Sequence, residues 1–217
     1  MVQKCLVAIL FIVSAIVLPM AKEVPPPPAW EGVSLYSDIT SLPKGFKKSR
    51  LFSNKKTGTC FKFKKGTAAN TDLYAYANPV SKKVEYIWSN YAIGKGFGFK
   101  YHVEPLALLK ALKESFGKPN NEGNCGQKYQ NAFGATASDN LSYYFWQNEN
   151  CFVLYIYGLK FFDFRTGKVP WQLVHVCSTS NFGKNICQSM LSGNGIPITI
   201  EGIRDIKENI GAYKPKQ

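Results

Sequence analysis

Apolar residues run from 5 to 18 with little interruption, and beyond them the chain shows helical spacing in a few places and strand-like runs nearly everywhere else. Between 104 and 116, Leu106, Leu109, Leu112 and Phe116 recur three and four positions apart with Leu108 beside them, the stripe of an amphipathic helix. Pro105 suits its first turn, and Gly117 followed by Pro119 marks its end. Lys110 and Lys113 fall on the outer side, so the helix is expected to cover a sheet face through Leu109, Leu112 and Phe116.

Strand patterns occupy 59–64, where Cys60, Phe61 and Phe63 stand among lysines, then 73–77 and 84–91. The clearest hairpin joins the aromatic and β-branched runs 141–147 and 151–157 through Asn148, Glu149 and Asn150. A further strand, 171–176, follows the turn-like 165–168, with 160–164 as its partner. Residues 94–99 alternate glycine with lysine or phenylalanine and read as a glycine-permitted strand or bulge. They lack the strand–turn–helix setting that a phosphate-binding loop requires. Residues 120–138, rich in Asn, Gly, Gln and Ala, read as a long irregular connection, and helices are expected at 185–191 and 201–210, the latter with Ile203, Ile206 and Ile210 on one face. Strands broken by a few helices, without regular alternation, predict an α+β fold: a single domain with a mainly antiparallel β-sheet, one long amphipathic helix at about 104–116 and C-terminal helices.

The apolar run at 5–18 follows Lys4 and ends in Pro19, Met20 and Ala21, the layout of a secretory signal peptide cut after Ala21. An uncleaved anchor is the alternative, since Pro19 stands where a small residue is usual, but the run is shorter than the roughly 20 residues a spanning helix needs. The expected organisation is a signal peptide at 1–21, a proline-rich linker at 22–31 built on Pro25 to Pro28, the α+β domain at 32–213, and a mobile tail at 214–217. Export to a periplasmic or extracellular space follows, with no membrane span after cleavage.

Charge sharpens the picture. The chain carries 27 Lys and Arg against 14 Asp and Glu, a net charge of +13. From 44 to 118 there are sixteen basic residues and four acids, whereas the rest of the chain is nearly balanced. Lys44, Lys47, Lys48, Arg50, Lys55, Lys56, Lys62, Lys64 and Lys65 form a stretch with no acid at all. Such a stretch attracts an anionic partner: an acidic protein, a glycan, a lipid headgroup or a nucleic acid. Only Arg50, Arg165 and Arg204 are arginines, the side chain that reads phosphates and base edges bidentately, so base-specific recognition is disfavoured. The competing reading is a solvated, solubilising surface.

Candidate chemistry is sparse. After loss of Cys5 with the leader, Cys60, Cys125, Cys151, Cys177 and Cys187 remain; an oxidising compartment predicts two bridges and one free thiol, with Cys177 and Cys187 the nearest pair. His175 and Cys177, two apart in a strand, point to one face, an arrangement open to a Cys–His nucleophile or a metal site, although a disulfide at Cys177 outweighs both. His102 lies beside Lys100 and Glu104. No cofactor or metal motif is present. In the 141–157 hairpin, Tyr144, Trp146, Tyr155 and Tyr157 are expected to form an exposed aromatic stripe if Phe145 and Leu154 are buried. Asn140, Leu141 and Ser142 match a glycosylation acceptor. Taken together, the residues point to an exported soluble binding or accessory protein with a basic surface. The alternatives are a small secreted hydrolase, a nuclease among them, using His102 or His175, and a structural component of an envelope or secretion assembly.

Overall fold

A computed structural model describes residues 27–53, 58–64, 72–91 and 103–205. The leader, the alternation at 94–99, His102, the 206–210 part of the last expected helix and the tail lie outside the described residues. In chain order the elements are β1 (Ala29–Trp30), β2 (Val33–Ser34), a 3-10 turn (Ile39–Ser41), β3 (Lys47–Lys48), β4 (Thr59–Lys64), β5 (Asp72–Ala77), β6 (Val84–Tyr91), α1 (Pro105–Phe116), β7 (Asn121–Cys125), β8 (Lys128–Gln130), β9 (Thr136–Ser138), β10 (Asn140–Gln147), β11 (Cys151–Asp163), β12 (Gly167–Ser178), α2 (Asn181–Gly193) and α3 (Ile200–Asp205). Eight strands form one sheet in the order β3-β4-β5-β6-β12-β11-β10-β7, every neighbouring pair antiparallel, so the fold is broadly α+β. Two small hairpins, β1–β2 and β8–β9, stand beside it.

Both faces of this sheet are buried, which explains why β5, β6, β11 and β12 are buried at successive positions rather than at alternate ones. On one face Tyr76, Tyr86, Leu154, Leu173 and Cys177 pack under Ile186, Cys187 and Leu191 of α2 and Ile200 and Ile203 of α3. On the other, Ala75, Ile87, Val153, Val174 and Val176 pack under Leu108, Leu109 and Leu112 of α1 and under Trp30 and Val33 of the β1–β2 hairpin. Buried polar side chains fasten these layers. Gln172 accepts from the Tyr155 hydroxyl at 2.8 Å and donates to the Val103 carbonyl at 2.8 Å, fixing the start of α1.

Several expectations are corrected. The linker does not reach residue 31: Trp30 is buried and its indole N–H donates to Ser89 Oγ at 3.1 Å and Tyr91 Oη at 2.9 Å, because a large amphipathic ring so placed is stable only when covered and paired. The helix at 104–116 is not the one long helix of the chain, since α2 has 13 residues and α1 has 12. Within α1, Leu106 is exposed and Phe116 only half-buried, so Leu108 takes the inward position. Residues 120–138 hold three strands that lack an apolar pattern, because β7 is a sheet edge and β8–β9 a surface hairpin with little apolar area to bury. The two segments expected at 151–157 and 160–164 are one strand, β11, made continuous at Gly158. There φ is +139°, and a Cβ would lie 2.1 Å from the Asn140 carbonyl oxygen.

Candidate functional site

The basic stretch folds onto one margin of the sheet. β3 is the edge strand and pairs with β4, Lys47 opposite Lys62 and Lys48 opposite Phe61. Phe46 stacks on Phe63 at 5.1 Å between centroids and seats this segment. Gly45, at φ +106°, allows the approach, since a Cβ there would stand 2.3 Å from the Phe63 ring. With the phenylalanines turned inward, Lys44, Lys47, Lys48 and Arg50 are exposed, and among the described residues none of them joins an ion pair. Lysine on a sheet edge also discourages edge-to-edge association, so these charges have a structural role as well as an available one.

Lys62 does not belong to that free set. Its Nζ lies 3.0 Å from Asp72 Oδ1 and 5.0 Å above the Tyr74 ring centroid, and the Tyr74 hydroxyl, then the Asp72 carboxylate, hold its pKa above the usual lysine range. Lys55, Lys56 and Lys65 lie outside the described residues, as does the side chain of Lys64. The described edge therefore presents three lysines, each a point charge, and one guanidinium fork, at Arg50.

The aromatic stripe at the 141–157 hairpin is corrected. Phe145 and Leu154 are buried as expected, yet Trp146 and Tyr155 on the opposite face are buried too, under α1. The Trp146 N–H donates to the Gly117 carbonyl at 2.8 Å and the Tyr155 hydroxyl reaches Gln172, so both polar tips serve the core. Tyr144 and Tyr157 stay half-buried and stack on Tyr155 at 6.2 and 5.3 Å, with Lys113 of α1 5.7 Å above the Tyr144 ring. Alternation along a strand tells which side chains share a face; it does not tell that the second face is covered.

His175 is wholly buried on the α2 face. Burial holds its pKa down at about 3, and its Nδ1 shares a hydrogen bond of 2.6 Å with the Tyr86 hydroxyl. A neutral imidazole enclosed in this way has no access to a substrate, which removes His175 from the candidate catalysts. Nothing brings together a metal-binding group of three His, Cys, Asp or Glu among the described residues.

The five cysteines are buried thiols. Cys177 of β12 and Cys187 of α2 are in side-chain contact, while burial raises the Cys177 pKa well above the usual thiol range. The other three are far apart. Cys60 on β4 and Cys125 on β7 are six strand spacings from one another, about 29 Å at roughly 4.8 Å each. Cys151 packs on the α1 face, opposite both. Disulfide geometry needs Cα atoms within about 7 Å, so the expectation of two bridges is corrected to one at most once Cys177 joins Cys187.

Two polar clusters escaped the reading of the sequence. Glu85, nearly buried, accepts hydrogen bonds from Ser81 at 3.2 Å, Ser178 at 3.3 Å and Ser180, and Ser180 also caps α2 by accepting from the Gly183 N–H at 3.0 Å. It is a carboxylate held at a helix N-terminus, a structural arrangement. Asp139, just before β10, accepts from the Phe161 N–H at 2.6 Å and from the Tyr129 hydroxyl at 2.9 Å, taking the place of the missing next rung of the ladder. Burial lowers the pKa of Lys160, whose Nζ stands 5.0 Å above the Trp171 ring. The neighbouring Cys125 thiol is pushed up to about 12, first by burial and then by the Asp139 charge, so it is not an activated nucleophile. A cavity of about 690 Å³ lined by Asn124, Cys125, Gln127, Asp139 and Ser142 opens beside this cluster. Only long-range pairing brings these residues together, and no local spacing announces them. Comparison with family models, with curated proteins and with solved structures returns no match.

Proposed function

We propose that the chain is an exported, soluble binding or accessory protein whose basic first half holds an anionic partner. The observation that carries this reading is the set of exposed cations Lys44, Lys47, Lys48 and Arg50, without an ion pair among the described residues, on and beside the edge strand β3, in the half of the sequence that carries nearly all of the excess positive charge. The apolar leader that begins the sequence supports export. Lysine-rich attachment is tuned to charge density rather than to a shape, so the partner class is a polyanion, and attraction fades with salt because charges in water are screened over about 8 Å at physiological ionic strength.

Retention on immobilised heparin, with polyphosphate as a soluble competitor, tests the reading. The mature chain is expected to elute at a salt concentration well above that of the K44E/K47E/K48E/R50E variant, with polyphosphate abolishing retention. Equal elution of the two proteins, at matched thermal stability, overturns it. Secreted material beginning at Lys22 is expected on N-terminal sequencing, and a chain that keeps residues 1–21 in a membrane fraction refutes the soluble form.

A further inference from the structure

Four of the eight exposed large apolar side chains among the described residues, Phe133, Leu159, Phe162 and Phe164, lie on two hairpins that leave the sheet at the same end. The β8–β9 hairpin enters β10 at Asn140, and Asn140 pairs with Leu159, beyond which β11 and β12 continue as a projecting arm through Phe164 to Gly167. Tyr129 packs at a tilt against Phe161, with centroids 4.8 Å apart, which ties the two hairpins at their bases, and Phe161 meets Phe164 edge-on at 4.8 Å.

Side chains hydrogen-bond the backbone at both tips. Asn131 Oδ1 accepts from the N–H groups of Phe133 and Ala135 at 3.0 and 2.9 Å, holding Phe133 95% exposed. Asp163 Oδ1 accepts from the N–H groups of Arg165 and Thr166 at 2.7 and 2.6 Å, and Phe162 beside it is 57% exposed. That turn also engages the one acid of the two hairpins. Lys128, Arg165 and Lys168 are exposed on the same two hairpins, the Lys168 ammonium donating to Asn140 Oδ1 at 3.1 Å. Exposed apolar rings at hairpin tips that also carry cations are costly in water.

We propose that these hairpins form a second binding surface that inserts Phe133 and Phe162 into the interfacial layer of an anionic lipid membrane while Lys128, Arg165 and Lys168 meet its headgroups. Aromatic rings favour the interface between hydrocarbon and headgroups, and basic side chains gain from a negative lipid surface. Two separate hairpin tips fit a deformable layer better than a flat protein face, which needs one continuous patch. This surface shares with the reading above only the premise of an anionic partner and uses other residues.

Flotation of the mature protein with vesicles of phosphatidylglycerol and phosphatidylcholine, against vesicles of phosphatidylcholine alone, tests it. The wild type is expected to float with the anionic vesicles and much less with the neutral ones. F133S/F162S is expected to lose partitioning by about tenfold or more, since full burial of one such ring is worth at least that factor. R165E/K168E is expected to lose it as well, and F133W to shift its emission to the blue on anionic vesicles alone. Heparin retention of F133S/F162S should equal that of the wild type. The proposal is overturned if the wild type does not float, if F133S/F162S floats as the wild type does, if F133W emission does not move, or if the wild type self-associates through these rings instead. Loss of heparin retention by F133S/F162S overturns the separation of the two surfaces.

Discussion

Lowering the pH from 7 to 5 should weaken the fold through His175. The residue is wholly buried on β12, opposite Trp88 on β6 and Leu154 on β11, with Tyr86 at hydrogen-bond distance and Cys177 two positions along the same face. Burial alone lowers its pKa, from an ordinary 6.5 to about 3, with no nearby acid contributing to the shift. Below pH 6.5 the unfolded chain takes up a proton that the folded chain refuses until about pH 3, so the unfolded state binds more protons in that window and stability falls as the pH falls. At 1.36 kcal/mol per pH unit the loss is about 2 kcal/mol by pH 5 and on the order of 5 kcal/mol by pH 3. Urea unfolding at pH 7, 6 and 5 reads the first part before carboxylates titrate. His175→Gln should flatten the dependence by about 2 kcal/mol, and His102→Gln, made as a control, should leave the His175 contribution in place. An unchanged slope in His175→Gln, or an NMR titration of His175 near 6.5 in the folded protein, refutes the reasoning.

Leu112→Ala, which opens a hole under α1 where the side chain is fully buried, should cost about 2–5 kcal/mol in denaturant unfolding, and Leu106→Ala, on the exposed side, should cost almost nothing. Ser180→Ala removes the α2 cap and one donor to Glu85, with an expected loss of about 1–3 kcal/mol by thermal unfolding. Non-reducing peptide mapping of the oxidised protein should find a Cys177–Cys187 linkage and no second bridge. Iodoacetamide should label Cys60, Cys125 and Cys151 only in denaturant, because burial holds their thiols at about 11 to 12.

The sequence is most legible where one short segment carries its own signal. The spacing of leucines and the Pro105 and Gly117 boundaries locate α1, and the run 141–157 locates the β10–β11 hairpin, because each element is decided by its own periodicity and turn residues. Misreadings arise where tertiary pairing decides. Trp30 looks like the end of a proline spacer and is a core residue, since its partners Ser89 and Tyr91 lie about 60 positions away. The stripe of Tyr144, Trp146, Tyr155 and Tyr157 has the right register and the wrong environment, because a period of two is the same whether the second face meets water or a helix. The basic stretch was legible as charge, but the pairing of Lys62 with Asp72 appears only once β4 and β5 are aligned.

Covering both faces of the sheet has a consequence for where this protein can meet anything else. The side chains of β5, β6, β11 and β12 at the centre are committed to the two apolar layers, and the polar groups among them, Gln172, Glu85 and His175, are enclosed there. Of the described sheet, what remains for a partner is the rim: the β3 edge, the β7 edge and the ends of the strands. β3 carries lysines and the far end of β11 and β12 carries exposed phenylalanines and cations, so the two unlike surfaces lie outside the centre of the sheet. Substitutions at Lys47 or Phe133 should therefore change binding with little effect on stability, whereas those at Leu112 or His175 act on the fold, and a variant set drawn from both groups separates recognition from folding in a single series.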